Sequence, residues 1–494
     1  MFWLTGEAGS GKSTIAYSVA RHFDGEEEEE EGDALLDAPK ILGANFFCSR
    51  QFEETRKKKN IIPTIVDQLA RQSQPYANTL LNANKFDSVN SKSKQIKDLL
   101  VDPWMQSLSG HHAGSPPFLV VIDALDEIED RGGSAFLEEL LKMIYKSHLQ
   151  GIKFLITSRP DADLLKLCSS FTSDAICALY DVPTDTVKAD IATYLQAKLP
   201  NLWGMAVVND LMHQADGLFI FAATAVRYIT RRPMTKREQI RLLGELGIRA
   251  DGSTVSRNTD VSPIDVLYKQ VMSTAFGDLA DDLLQERLYA LHTLLCTQER
   301  VSTTVAGELN SGDLDTELVE LVVDELRAVL YVKDDRIFWY HASFPDFIFS
   351  QARSGSILLN NDSPAVDMHC DEVEHHGHLA LACFRIMKTH LRFNICDLPS
   401  SFLLDSEVPD LDSRIRANIG ESLRYSCLHW AQHLTQTSSN DGRKEMREFL
   451  QLKVLFWIEA MNLLDFRGRC TPMLQQAREY ILKVRILYYI MDPC

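Results

Sequence analysis

Apolar runs of four to seven residues recur through the first third of the chain, separated by longer stretches with helical periodicity. Phe2–Thr5, Leu42–Cys48, Phe118–Asp123, Lys153–Ser158 and Ala175–Asp181 read as strands. Runs that are apolar throughout, instead of alternating, belong to strands buried on both faces. The pattern therefore predicts a parallel α/β sheet with helices on both faces. After Pro183 the period changes. Thr186–Leu199, Val207–Asp216 and Leu218–Thr230 read as helices, with Gly217 separating the last two. Between Pro263 and about Phe349, helices give way to a strand, turn and strand at Ala328–Lys333, Asp334-Asp335 and Arg336–His341. Helices ending in a small hairpin read as a winged helix. From about Asp367 the chain is helical again, most clearly at Leu423–Leu434 and Lys453–Leu464. No internal repeat is visible.

The candidate chemistry begins immediately after the first strand. Gly6-Glu7-Ala8-Gly9-Ser10-Gly11-Lys12-Ser13 is a complete phosphate-binding loop, and Thr14 continues it into a helix read as Ser13–Phe23. The glycines let the backbone turn sharply and bring N–H groups near phosphate oxygens. Lys12 supplies charge for the β- and γ-phosphates, and Ser13 a hydroxyl for Mg²⁺. Phe118–Asp123 ends in a carboxylate at the sheet edge, where Asp123 can hold Mg²⁺ through water. Asp126 and Glu127 follow it, and either can orient or deprotonate a water; their structural alternative is to cap the next helix. Phe154-Leu155-Ile156-Thr157-Ser158-Arg159-Pro160 is a buried strand whose Arg159 emerges at the carboxyl end, suited to sensing the γ-phosphate. The fold class expected is thus an α/β P-loop NTPase domain followed by helical, winged-helix and helical domains. Their expected bounds are 1–182, 183–258, 259–355 and 356–494, with linkers at Arg231-Arg232-Pro233 and Ala250–Asn258.

Composition narrows the partners. A chain of 494 residues suggests about three domains by size alone. The net charge of −18 argues against wide nucleic-acid binding, which needs clustered Lys and Arg. Part of that excess, Glu26–Glu31, repels itself and reads as a solvated loop. The ten cysteines lack a Cys-x-x-Cys pair, and Cys48, Cys177, Cys296 and Cys383 sit in apolar segments. That pattern predicts buried thiols in a reducing, cytoplasmic setting. No apolar run reaches the length of a membrane span.

The combination GEAGSGKST, VVIDALDE and FLITSRP resembles the NACHT family of signal-transduction P-loop ATPases, in the form found in fungal NLR-like proteins. The nephrocystin-type NACHT description covers the same region. Asn45-Phe46-Phe47-Cys48-Ser49-Arg50 is similar to the second strand of that class. Ala290–Cys296, Tyr340–Phe347 and Ser426–Ala431 look like basidiomycete NACHT proteins, so the resemblance covers nearly the whole chain. It implies an ATP/ADP switch: a closed ADP form that is monomeric, and an ATP form that opens and oligomerises with other chains. It further implies that Lys12 serves phosphate, Ser13 and Asp123 serve Mg²⁺, Arg159 the γ-phosphate, and His341 the ADP β-phosphate. The family often carries Gly-Leu-Pro near adenine. Here the sequence is Gly217-Leu218-Phe219, which leaves Phe219 to pack there.

Two function classes follow. One is a nucleotide switch with slow ATPase activity in self/non-self or defence signalling. The other is a scaffold that holds nucleotide without hydrolysing it. A small-molecule phosphotransferase is disfavoured, because no acceptor pocket is recognisable. The family places an effector domain upstream and sensor repeats downstream, and the loop so close to Met1 reads as a chain lacking both. His369, Cys370, His375, His376 and His378 crowd one span, but their spacing matches no zinc pattern, so no metal is expected of them. The run Arg56-Lys57-Lys58-Lys59 reads as a solvated helix start, and Trp430 and Trp457 as core.

Overall fold

The computed structural model describes residues 1–25, 40–90, 94–108, 116–168, 175–245, 262–277, 279–310, 315–358, 365–400, 402–437 and 442–491. The Glu26–Glu31 run and the Ala250–Asn258 linker lie outside the described residues. The chain divides into two compact units, residues 1–264 with 341–343, and residues 265–340 with 344–494.

In the first unit, β1 (Phe2–Thr5), β2 (Leu42–Phe47), β3 (Phe118–Asp123), β4 (Ile152–Ser158) and β5 (Ile176–Ala178) form one sheet in the order β2-β3-β4-β1-β5. Every pairing is parallel. Successive side chains alternate between two cores. Trp3, Val120, Ile122, Phe154 and Ile156 pack on one face, while Leu4, Val121 and Leu155 pack on the other with Ala16 and Ala20. Ala16 and Ala20 come from helix α1 (Lys12–Asp24), which covers that second face; the first face is covered by α2 (Ile61–Gln72) and α3 (Gly132–Ser147). This double burial is why the strands read as continuous apolar runs. The exposed edge is managed locally: the Gln68 side chain accepts from Asn45 N–H (2.7 Å) and donates to Asn45 C=O (3.1 Å), blunting β2. The fifth strand is shorter than the sequence suggested, because the chain turns at Leu179–Asp181 toward the next helix.

After the sheet the unit continues in helices that include α4 (Thr184–Lys198), α5 (Ala206–Ala215) and α6 (Phe219–Thr230). α6 is buried on most sides, as its sequence FIFAATAVRYIT requires. The basic run departs from its solvated reading. Arg56 is buried against Glu129, and Lys58 meets Glu139 at 3.0 Å, because carboxylates on neighbouring turns draw the run onto the surface of the unit.

The second unit is mostly helical. It includes α7 (Asp281–Cys296), α8 (Thr303–Asn310), α9 (Asp315–Glu325), α10 (Glu372–His390), α11 (Glu421–Gln436) and α12 (Val454–Leu463). Between α9 and α10 lies an antiparallel hairpin, β6 (Leu330–Lys333) and β7 (Arg336–Trp339). Asp334 and Asp335 both take positive φ (50° and 57°), the geometry of a two-residue hairpin turn. Asp371 caps α10, its carboxylate accepting from the N–H groups of Val373 and Glu374. Trp430, Trp457, Phe384 and Phe449 stack together between helices, so both tryptophans are core residues. Among the described residues no helix is long and apolar enough to cross a membrane.

Candidate functional site

The glycine-rich loop runs from the carboxyl end of β1 to the start of α1. Gly9 and Gly11 have φ of +80° and +96°, a region where side chains are strained. A Cβ at Gly9 would stand 1.9 Å from Ile220 Cγ2, so this glycine is required by packing as well as conformation. The Gly9 carbonyl also accepts from Ile220 N–H at 3.2 Å, and a Cβ at Gly11 would lie 3.7 Å from the Phe219 ring. The first turn of α6, including the Phe219 that replaces the expected proline, therefore sits on the loop. Sequence reading had no signal for the Ile220 contact, since it joins residues over two hundred positions apart.

Lys12 is buried, and its ammonium donates to the carbonyls of Gly6 (2.8 Å) and Glu7 (2.7 Å). The side chain thus bridges its own loop. Burial lowers the Lys12 pKa, opposed by the nearby carboxylate of Asp126. Ser10 Oγ donates to Glu7 C=O at 2.9 Å and tightens the turn, while Ser13 and Thr14 open α1 at exposed positions.

Asp123 ends β3 beside β4. It is buried, and its carboxylate accepts from Thr157 Oγ1 at 2.5 Å and from the Ser13 hydroxyl. Burial raises its pKa, and those two hydrogen bonds oppose the rise. Thr157 Oγ1 in turn accepts from Ala124 N–H at 2.9 Å, which holds Ala124 in a left-handed conformation (φ 52°) just past the strand. In the sequence alone the Thr157 hydroxyl reads as one more buried threonine; its role comes from the pairing of β3 with β4.

Asp126 and Glu127 form a single helical turn after Ala124. Asp126 spends both oxygens on residue 159: Oδ1 accepts from Arg159 N–H (2.9 Å) and Oδ2 lies 3.2 Å from Arg159 Nε. Glu127 Oε2 accepts from Arg50 N–H at 3.1 Å, past the end of β2. Burial pushes the Glu127 carboxyl up to about 7, a rise that the Arg50 amide limits. Neither acid caps α3, which begins beyond a second turn at Glu129–Arg131. Lys12, Ser13, Asp123, Asp126, Glu127 and Arg159 thus converge at the carboxyl end of the sheet, where ligands of open α/β sheets bind.

His341 lies apart in sequence. The stretch 341–343 groups with the first unit, although the hairpin before it groups with the second. His341 Nδ1 accepts from Ser343 N–H (3.1 Å) and faces Ser343 Oγ (2.7 Å). An acceptor Nδ1 puts the ring proton on Nε2, the nitrogen that can donate to an anion.

Residues 1–159 match the family model described as "Nephrocystin 3, N-terminal". The chain is also 21% identical over 502 aligned residues to the vegetative incompatibility protein HET-E-1 of Podospora anserina. That alignment covers 94% of this chain and 33% of the relative, so the chain spans about a third of the relative's length. Both findings support the NACHT-type resemblance carried by the three motifs.

Proposed function

We propose that this chain is an ATP/ADP-binding switch with slow ATPase activity that acts in intracellular signalling of the self/non-self or defence type. The observation that carries the reading is the convergence of Lys12, Ser13, Asp123, Glu127 and Arg159 around a loop held open by positive-φ glycines. The residues present fit a nucleotide with Mg²⁺. Gly9 and Gly11 leave no Cβ over the loop, and the Lys12 ammonium lies across its carbonyls. The Ser13 hydroxyl already meets the Asp123 carboxylate. The loop N–H groups and Lys12 hold phosphate, and Ser13 with Asp123 holds the metal. Bound Mg²⁺ neutralises phosphate charge. Glu127 orients or deprotonates water, and its raised pKa suits a base working near neutrality. Arg159, held by Asp126, reads the γ-phosphate once that ion pair loosens. His341 donates from Nε2 to the ADP β-phosphate.

The relative's role in vegetative incompatibility supports the signalling part of this reading. In this reading the hairpin with its preceding helices is the winged helix of a NACHT-type switch. Oligomerisation with other chains would follow ATP binding. Lys12→Ala should weaken ATP and ADP at least tenfold in a calorimetric titration, and unchanged affinity would sink the proposal. A second reading, a scaffold that holds nucleotide without hydrolysis, is favoured by one observation: the Asp126 carboxylate is wholly engaged by residue 159. Single-turnover hydrolysis separates the two, since Glu127→Gln slows a true ATPase and leaves a scaffold unchanged.

A further inference from the structure

Cys296 ends α7 and Cys370 immediately precedes the Asp371 cap of α10, yet their Sγ atoms lie 3.7 Å apart. A disulfide requires about 2.05 Å. Two thiolates on one tetrahedral Zn²⁺, each with a bond of about 2.3 Å, stand about 3.8 Å apart. His292 lies one helical turn before Cys296 on α7, and His375 lies in the first turn of α10. His292, Cys370 and His375 each place a ligand atom within 4.8 Å of the others, and Cys296 joins this group through its approach to Cys370. All four residues belong to the second unit.

The surroundings fix the tautomer of both imidazoles. His292 Nε2 lies 3.2 Å from the Met368 carbonyl, which can only accept, so Nε2 carries the proton. His375 Nε2 lies 3.0 Å from Thr293 Oγ1, whose own proton goes to Asn310 Oδ1 at 2.8 Å. His375 Nε2 therefore donates as well. Assigned from these partners, both rings keep their lone pair on Nδ1. One nitrogen donating to oxygen while the other keeps a lone pair is the arrangement of metal-binding histidines.

We propose that His292, Cys296, Cys370 and His375 form a structural Zn²⁺ site that fastens the segment before α10 to the end of α7. Two thiolates cancel the charge of a divalent ion, which suits a place where Cys296, Cys370 and His375 are all buried. Sulfur and imidazole select zinc over the hard cations Mg²⁺ and Ca²⁺. Four protein ligands leave no open position, so the site is structural and not catalytic. The pairs His292-x₃-Cys296 and Cys370-x₄-His375 have the short spacings of such sites, but each pair is mixed and 74 positions separate Cys296 from Cys370. That separation is why the crowded histidines after residue 368 matched no pattern on their own.

The test is metal content of the full chain, purified after expression with added zinc and without chelator. About one zinc per chain is expected, and Co²⁺ in its place should give the intense visible bands of a four-coordinate thiolate site. The double change Cys296→Ser with Cys370→Ser should abolish both signals. His292→Ala, at a half-buried position, should weaken zinc at least tenfold while far-ultraviolet circular dichroism stays native. This second variant keeps the test informative where the cysteine changes prevent folding. A wild-type chain without zinc and without cobalt bands overturns the proposal. So does a Cys296–Cys370 disulfide in the freshly purified protein, or full zinc occupancy in the double variant.

Discussion

The carboxyl end of the sheet in the first unit and the histidine-rich helices of the second meet the same constraint with opposite signs. At the sheet, burial raises Asp123 and Glu127, so acids favour their neutral form. In the helical unit, burial lowers His376 and His433, so bases favour theirs. Both regions place ionisable groups where water solvates their charge poorly. What differs is how the polar atoms are satisfied. His376 and His433 close a chain among themselves: Nδ1 to Nδ1 at 2.9 Å, then His433 Nε2 to Tyr425 Oη at 2.8 Å, with Gln298 N–H donating to that oxygen. The sheet end instead gathers three carboxylates, one lysine and one arginine. The His376–His433–Tyr425 chain is finished by its own partners, and the sheet end is completed under the proposed function by a ligand.

The strongest break of this comparison is Gly9→Val. It forces a strained φ and drives a side chain into Ile220. It should remove nucleotide binding and cost about 2–4 kcal/mol, read from denaturant unfolding with and without Mg-ATP. Retained binding would show that the α6 contact does not shape the loop.

Next comes acid sensitivity of the helical unit. His376 is held at about 4 against an unfolded value near 6.5, so the unfolded chain binds more protons in that window. Stability should therefore fall as pH drops from 6.5 to 4, by about 2–3 kcal/mol for this group. His376→Asn should flatten the slope measured by hydrogen exchange in α10 and α11, and an unchanged slope would assign it elsewhere.

The sheet should show the opposite sign. Glu127 titrates near 7 when folded and near 4.5 when unfolded, so the folded chain binds more protons between them. Without nucleotide, stability should fall as pH rises from 4.5 to 7, by about 1–3 kcal/mol, and Glu127→Gln should remove that fall. If Glu127 is the base, wild-type turnover should also rise through pH 7. A flat pH–rate profile would remove Glu127 from the role of base, and no turnover at any pH would speak for the scaffold.

The smallest effect expected is Thr157→Val. It strips Asp123 and Ala124 N–H of one buried partner each, and should cost about 1–2 kcal/mol while weakening Mg²⁺ more than nucleotide. Equal loss for both would make Thr157 a purely structural hydroxyl.

Much of the first unit was legible because its chemistry is contiguous. Phe2–Thr5 and Phe118–Asp123 are strands at the bounds their apolar runs suggested, and the glycines, Lys12 and Ser13 act within one turn of chain. Asp334-Asp335 announced a hairpin because two adjacent residues that tolerate positive φ suit few other structures. The burial of Arg56 is not legible locally, because its partner, Glu129, is far away in sequence. Thr157 and Ile220 were silent for the same reason: an apolar or hydroxyl side chain advertises burial, never the neighbour it is buried against.

By itself, the sequence determined where strands and helices form and which residue types line the loop, since backbone conformation, periodicity and turn chemistry are local properties. The tertiary structure alone decided that Asp126 faces Arg159, that α6 seats on Gly9, and that His292 and Cys296 meet Cys370 and His375. Those pairings depend on how parallel strands and helices pack, and packing couples residues whose separation along the chain carries no signal of their contact.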